Sequence, residues 1–196
     1  MIAPTNAIAG ALLILFAMTG AGLLHLIWLS SKTAQRFNLP IDGGRCWRGR
    51  RIFGPNKTWR GFCVLPWAGA LCFALLDYLI PWLPAWWRAG WWNFTLLQAA
   101  MLGFACGLVF MLAELPNSLI KRQLDIPAGG PAPSSGLKIF FAILDRYDSS
   151  LGVVLLIALC LPVPAMTLVW VLVFGPTVHA LCSILQFQLG LKGRAL

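Results

Sequence analysis

The chain has 196 residues, of which 59% are hydrophobic and 11% charged, with 15 basic and 6 acidic side chains and a net charge of +9. A soluble domain spends about a quarter of its residues on charge, so this composition excludes disorder and argues against a soluble globule. The positive balance does not point to nucleic acid either, because such a binder carries its cations on a water-facing scaffold and here they fall between long apolar runs.

The expected fold is an all-α polytopic membrane protein, a single domain over residues 1–196 with five transmembrane helices. The first span, residues 8–29, is uncharged and as a helix covers roughly 33 Å, the thickness of a bilayer's hydrocarbon core. It lacks the positive flank of a cleaved signal and reads as a retained span. The loop 30–61 follows, then a second span at 62–83 that carries Asp77 late in its course. The next loop holds Trp82, Trp86, Trp87, Trp91 and Trp92 around Arg88, a clustering that suits an interfacial anchor. A third span covers 94–115. The loop 116–150 is divided by the flexible stretch Gly129, Gly130, Pro131, Pro133, Ser134, Ser135 and Gly136. The fourth span, 140–161, is amphipathic at its start, and the fifth, 165–189, contains Pro176 and His179, with a kink expected at the proline.

All of the 15 basic residues except Arg88 lie in the loops 30–61 and 116–150 or in the tail with Lys192 and Arg194. The positive-inside rule then places the N-terminus outside and the C-terminus in the cytoplasm, as in a multi-pass protein of a cell's inner membrane. The six cysteines show no paired or zinc-type spacing and read as small apolar packing residues. His25 and His179, each alone in a span, read as bonded to neighbouring helices, and Asp77, roughly 24 Å along its helix, as placed near the outer interface or neutralised by a partner.

Three polar clusters sit at the cytoplasmic ends of the spans. The first is Gly54-Pro55-Asn56-Lys57-Thr58-Trp59-Arg60-Gly61, where a turn, two cations and a helix start favour an anion such as phosphate. It lacks the spacing of a P-loop, and a basic stretch holding anionic lipid headgroups is the alternative. The second is Glu114, Asn117, Ser118, Lys121 and Arg122. If the helix persists past Pro116, Glu114, Ser118 and Lys121 share a face. The third is Asp145-Arg146-Tyr147-Asp148-Ser149-Ser150, whose two aspartates share a helical face and repel unless a cation or protons lie between them. Their oxygen-only chemistry suits a hard ion, although neutralisation by nearby cations is as good a reading of the cluster alone.

Lys57-Thr58-Trp59-Arg60-Gly61, Ser118-Leu119-Ile120-Lys121-Arg122 and Asp145-Arg146-Tyr147-Asp148-Ser149 resemble, in order, the motifs of the CTP:phosphatidate cytidylyltransferase superfamily. Leu39-Pro40-Ile41-Asp42-Gly43-Gly44 and Gly49-Arg50-Arg51-Ile52-Phe53-Gly54 are closer to its compact branch, CDP-archaeol synthase. The chain departs from the usual pattern in having Ala113-Glu114 where Gly-Asp is common, and in inserting Ser134 to Leu144 before the paired aspartates.

The resemblance implies an enzyme that uses Mg²⁺, with room for a second cation, to transfer the cytidylyl group of CTP to a phosphorylated glycerolipid, either phosphatidate or an isoprenoid glycerol phosphate. Asp145 and Asp148, with Glu114, would hold the metal. Asn56, Lys57, Thr58 and Arg60 would bind the nucleotide, and Lys57, Arg60, Ser118, Lys121 and Arg122 would act on the phosphates. Membrane lipids are the surroundings, nucleic acid is not a partner, and a homodimer is compatible with the sequence. A non-catalytic lipid-binding or scaffold relative and a phospholipid transporter are the alternatives.

Overall fold

A computed structural model describes residues 2–130, 134–188 and 190 of the chain. Pro131, Pro133, Lys192, Arg194 and the last residue of the expected fifth span, Leu189, lie outside the described residues. Five long helices dominate: α1 (Ala7–Leu29), α3 (Trp59–Leu79), α5 (Leu96–Gln123), α6 (Ser135–Cys160) and α7 (Ala165–Gln188). Two short ones, α2 (Lys32–Arg36) and α4 (Ala85–Arg88), lie in the connections. The expectation of purely helical structure needs one correction. Strands β1 (Cys46–Trp47) and β2 (Arg50–Arg51) pair antiparallel, because Arg48 and Gly49 both adopt positive φ, 52° and 76°, as a tight hairpin turn requires.

The helix starts follow from their capping residues. Asn6 caps α1 by accepting from the Ala9 amide at 3.2 Å, and Thr95 with Gln98 forms a reciprocal capping box at α5. Ser134 caps α6 by accepting from the Leu137 amide at 3.3 Å, so this helix begins well before the predicted span and takes in most of the polar segment. Helix α5 likewise runs straight through Pro116 to Gln123. The long helices form a closed ring in which α1 packs on α3, α3 on α5, α5 on α6, α6 on α7, and α7 back on α1.

The closest approach is between α3 and α5. A Cβ on Gly69 would stand 2.3 Å from the Gly103 carbonyl oxygen, and one on Gly107 would stand 2.6 Å from that of Leu65, so these backbones touch directly. Phe73, Leu13, Ile14, Ile157 and Cys106 fill the centre of the ring. Its outside is apolar as well, with Trp67, Leu71, Leu97, Leu155 and Leu159 all exposed, which is how a helix facing lipid reads. Among the described residues, four helical segments are long and apolar enough to cross a membrane: α1, α3 extended by a short 3₁₀ turn to Trp82, α5 and the residues Ala165–Leu185 of α7. The protein is thus a polytopic helical membrane protein. Helix α6 is of similar length, but Lys138, Asp145, Arg146 and Asp148 load it with charge up to its midpoint.

The tryptophan-rich connection divides into two parts. Trp82 and Trp86 are exposed, as an interfacial anchor should be, whereas Trp91 and Trp92 are core residues. Their indole N–H groups find acceptors inside: Trp91 donates to Asp77 Oδ1 at 2.9 Å and Trp92 to the Pro162 carbonyl at 2.8 Å. Asp77 thus has a hydrogen-bond donor, though a neutral one, and the anchor reading fails for Trp91 and Trp92.

Candidate active site

The segment between α2 and α3 is a built scaffold rather than a slack loop. Asp42 organises it. Its side chain is shielded from solvent and accepts from the amides of Gly44 at 2.9 Å, Phe53 at 3.1 Å and Gly54 at 2.9 Å, and from Arg51 Nη2 at 2.7 Å. The ends of the segment are clamped together, with the Ile41 amide donating to the Lys57 carbonyl and the Trp59 amide to the Leu39 carbonyl, both at 2.9 Å. Arg50 ties the hairpin to the end of α5 through Asp125 and the Gln123 carbonyl.

Burial alone would raise the Asp42 pKa, but the amides of Gly44 and Gly54, the Arg51 guanidinium and the Phe53 amide bring it from 3.8 down to about 2. A depressed carboxyl pKa stabilises the fold fully above the unfolded value and loses that contribution as pH falls through the folded one. Protection of the Phe53 and Gly54 amides against hydrogen exchange, corrected for intrinsic rates, is therefore expected to fall between about pH 4 and about pH 2. Asp42→Ala is expected to remove that protection already at neutral pH.

This scaffold delivers Lys57 to the polar end of the ring, where the carboxylates gather. Lys57 Nζ pairs with Glu114 Oε2, and the other Glu114 oxygen accepts from Ser149 Oγ at 3.0 Å. The same hydroxyl lies 3.1 Å from Asp148 Oδ1, which also accepts the Ser149 amide at 2.7 Å. On the far side, Asn117 Nδ2 donates to Asp148 Oδ2 at 2.9 Å and to Asp145 Oδ1 at 2.6 Å. Lys121 Nζ completes the row by pairing with both oxygens of Asp145. The order across the site is Lys57, Glu114, Ser149, Asp148, Asn117, Asp145, Lys121, alternating carboxylates with donors from the Lys57 segment, α5 and α6. Among the described residues, no three His, Cys, Asp or Glu side chains are grouped closely enough to form a ready-made metal cage. Asn117 Oδ1, however, is buried beside the two aspartates without a partner.

The family described as "CarS-like: CDP-archaeol synthase" matches residues 34–195. The chain belongs to the CDP-archaeol synthase family. It is similar to the CDP-archaeol synthase of Thermococcus gammatolerans, with 35% identity over 157 residues covering 78% of this chain and 80% of the relative. It is also similar to that of Pyrococcus furiosus, at 32% identity over 78% and 81% of the two chains. The same synthase of Methanospirillum hungatei shows 32% identity over 79% and 87%. No solved structure matches. Membership makes the chain an enzyme of the CTP-dependent cytidylyltransferase class.

In this member of the CDP-archaeol synthase family, the structure brings Lys57, Glu114, Lys121, Asp145 and Asp148 into one row. Arg122 lies against the scaffold, with Nη1 3.1 Å from where a Gly54 Cβ would stand. Arg60 turns toward α2, its Nη1 3.5 Å from the Ala34 carbonyl. Thr58 is buried at the start of α3 and makes no side-chain cap, and Asn56 is exposed. Ser118 is half-buried and forms no side-chain hydrogen bond among the described residues. Its neighbour Asn117 carries the contact to the aspartates instead. Sequence reasoning passed over Asn117, Ser149 and Asp42 as working residues. The Asp-Gly-Gly sequence at Asp42 was the available signal, since short acids before glycines collect turn amides.

Proposed function

We propose that the protein transfers the cytidylyl group of CTP to the phosphate of a membrane glycerolipid, an isoprenoid glycerol phosphate or phosphatidate, giving a CDP-lipid and pyrophosphate. The observation that carries this reading is the row of alternating carboxylates and donors from Lys57 to Lys121. The names of its relatives favour the isoprenoid substrate. Five spans, counting α6, with the N-terminus outside put the row at the cytoplasmic face, where CTP is supplied.

The nucleophile is an oxygen of the lipid phosphate, already anionic near neutral pH because its second pKa is about 6. It attacks the α-phosphorus of CTP, the new oxygen–phosphorus bond forming as the bond to pyrophosphate breaks, so no side chain has to remove a proton. The task left to the protein is to bring two polyanions into line. Lys57 and Lys121, held at opposite ends of the row, neutralise phosphate oxygens, with Arg60 and Arg122 contributing charge from the start of α3 and the end of α5. Ser118 and Ser149 offer hydroxyl donors beside them.

Asp145 and Asp148, bridged by the side-chain amide nitrogen of Asn117, whose Oδ1 is buried without a partner, offer carboxylate oxygens that fit Mg²⁺, an ion that uses one or two carboxylates together with substrate phosphates. Such an ion, when bound, supplies charge neutralisation for the nucleotide phosphates and the departing pyrophosphate. Glu114 stands one hydroxyl away, through Ser149.

Incubation of the purified protein with labelled CTP, Mg²⁺ and each phosphorylated lipid is expected to give labelled CDP-lipid. No product from any lipid phosphate, with the protein folded, overturns the proposal. A second expectation concerns the longer acid. Both Glu114 oxygens are engaged, by Lys57 and by Ser149, and a side chain one methylene shorter cannot keep both. Glu114→Asp is expected to lower kcat/KM by about 10-fold, the loss of one hydrogen bond to a charged group; an increase would mean that the site is not built around the glutamate.

A further inference from the structure

Two nitrogens at the edge of this row are buried and have no hydrogen-bond partner in the described structure: Nε2 of His25 on α1 and Nε of Arg60 in the first turn of α3. They belong to different helices, yet the two side chains lie within electrostatic range of each other, and His25 within range of Glu114. The imidazole packs against the first turn of α3 beside Arg60: a Cβ on Gly61 would stand in ordinary contact with His25 Nε2, at 3.7 Å. Arg60 is only weakly engaged elsewhere, through the 3.5 Å contact of Nη1 with the Ala34 carbonyl.

Buried polar nitrogens without partners are costly and call for an explanation. Glu114 does not serve as the missing acceptor: its hydrogen bonds go to Lys57 and Ser149, and neither nitrogen is bonded to it. His179 is also within range of Glu114 and has an unpartnered Nδ1, but its ring is committed to Phe110, edge-on with centroids 6.0 Å apart. An imidazole with a proton on Nε2, beside a guanidinium, makes a donor pair, and its complement is an oxyanion.

We propose that His25 is a phosphate-contacting residue of the active site, its Nε2–H donating alongside the Arg60 guanidinium to a phosphate oxygen of a bound substrate. The cytidylyltransferase reading supplies the identity of the substrates on which this rests. The phosphate can come from the lipid monoester or from the part of CTP that leaves as pyrophosphate, and the two sources are separable.

The test compares the full-length wild type with His25→Leu and His25→Gln in detergent, titrating inorganic pyrophosphate by calorimetry and measuring KM for CTP and for the lipid phosphate in parallel. His25→Leu is expected to weaken one source by about 10-fold or more and leave the other unchanged, as befits a lost hydrogen bond to a charged group. A rise in the pyrophosphate Kd together with the CTP KM assigns the contact to the nucleotide, and a rise in the lipid KM alone assigns it to the lipid. His25→Gln, whose amide nitrogen can stand near the position of Nε2, is expected to recover most of the loss, which a packing role would not give. If His25→Leu fails to fold, His25→Asn, polar but too short to reach, replaces it with the same expectation. Unchanged constants for both sources, with only kcat or thermal stability lowered, overturn the proposal. A wild type that binds pyrophosphate but makes no CDP-lipid defeats the functional reading alone, and His25 is then judged by the pyrophosphate constants. A wild type that does neither defeats both.

Discussion

Asp148→Asn is expected to reduce CDP-lipid formation by about 10³-fold or more, the scale of removing a charge-stabilising group from a reacting centre. Asp148 is only 8% exposed and accepts from Asn117, from the Ser149 amide and, as one of two choices, from the Ser149 hydroxyl. Asparagine has nearly the same shape, so α6 keeps its packing. What changes is the charge, and one acceptor oxygen becomes an NH₂ that must face either the Asn117 amide or the Ser149 backbone N–H. The variant should elute from gel filtration and melt as the wild type does, give or take a few degrees, with the loss confined to turnover. Asp77→Asn is the matching control. Asp77 sits at the other end of the ring, bonded to the Trp91 indole, and an asparagine oxygen can still accept that bond, so turnover is expected to stay near the wild-type value. Wild-type-like product formation by Asp148→Asn would show that the paired aspartates are not the metal-binding centre.

Gly69→Ala is expected to be strongly destabilising for the addition of a single methyl group. Its Cβ would stand 2.3 Å from the Gly103 carbonyl oxygen and 3.0 Å from its carbon, and both obstacles are backbone, which has no rotamer to change. The helices must separate or slide, at a cost near the upper end of overpacking penalties, about 3 kcal/mol. Activity should fall as well, because α3 begins beside Lys57 and Arg60 while α5 carries Glu114, Asn117 and Lys121, so a shift of one helix against the other pulls the row apart. Gly22→Ala separates this from a general effect of alanine: nothing lies within 4 Å of a Cβ at Gly22 on α1, and alanine is the better helix former by about 1 kcal/mol. Thermal denaturation in detergent should show a large drop for Gly69→Ala and no loss for Gly22→Ala. Equal melting temperatures for the two would mean that the α3–α5 contact is looser than the backbone distances state.

The apolar runs made the long helices legible from sequence, because membrane depth imposes a length and a hydropathy that few other constraints imitate. The polar end was legible in residue type but not in register. Pro116 leaves the continuation of the helix open in the sequence, since it removes a backbone hydrogen bond, and α5 does continue past it to Gln123. That continuation puts Asn117 rather than Ser118 toward α6, and the two differ by a rotation of about 100° that no local signal fixes. The tryptophans failed for a similar reason. Composition marks an aromatic belt, but Trp91 and Trp92 turn inward because Asp77 and the Pro162 carbonyl, distant in sequence, offer acceptors for their N–H groups. Asp42 lies within the Leu39–Gly44 motif, and its role as a collector of four donors depends on a loop conformation that only the fold supplies.

The closed ring has a consequence for how the enzyme comes into being. Helix α1, which carries His25, is flanked by α3 on one side and α7 on the other, and α7 follows the other four long helices in the chain. A chain made at about 5–20 residues per second therefore has α1, α3, α5 and α6 for some seconds before α7, as an open palisade with one flank of α1 uncovered. The arrival of α7 closes that gap, so the row of carboxylates and donors, built from the Lys57 segment, α5 and α6, can be assembled before the ring around it is closed.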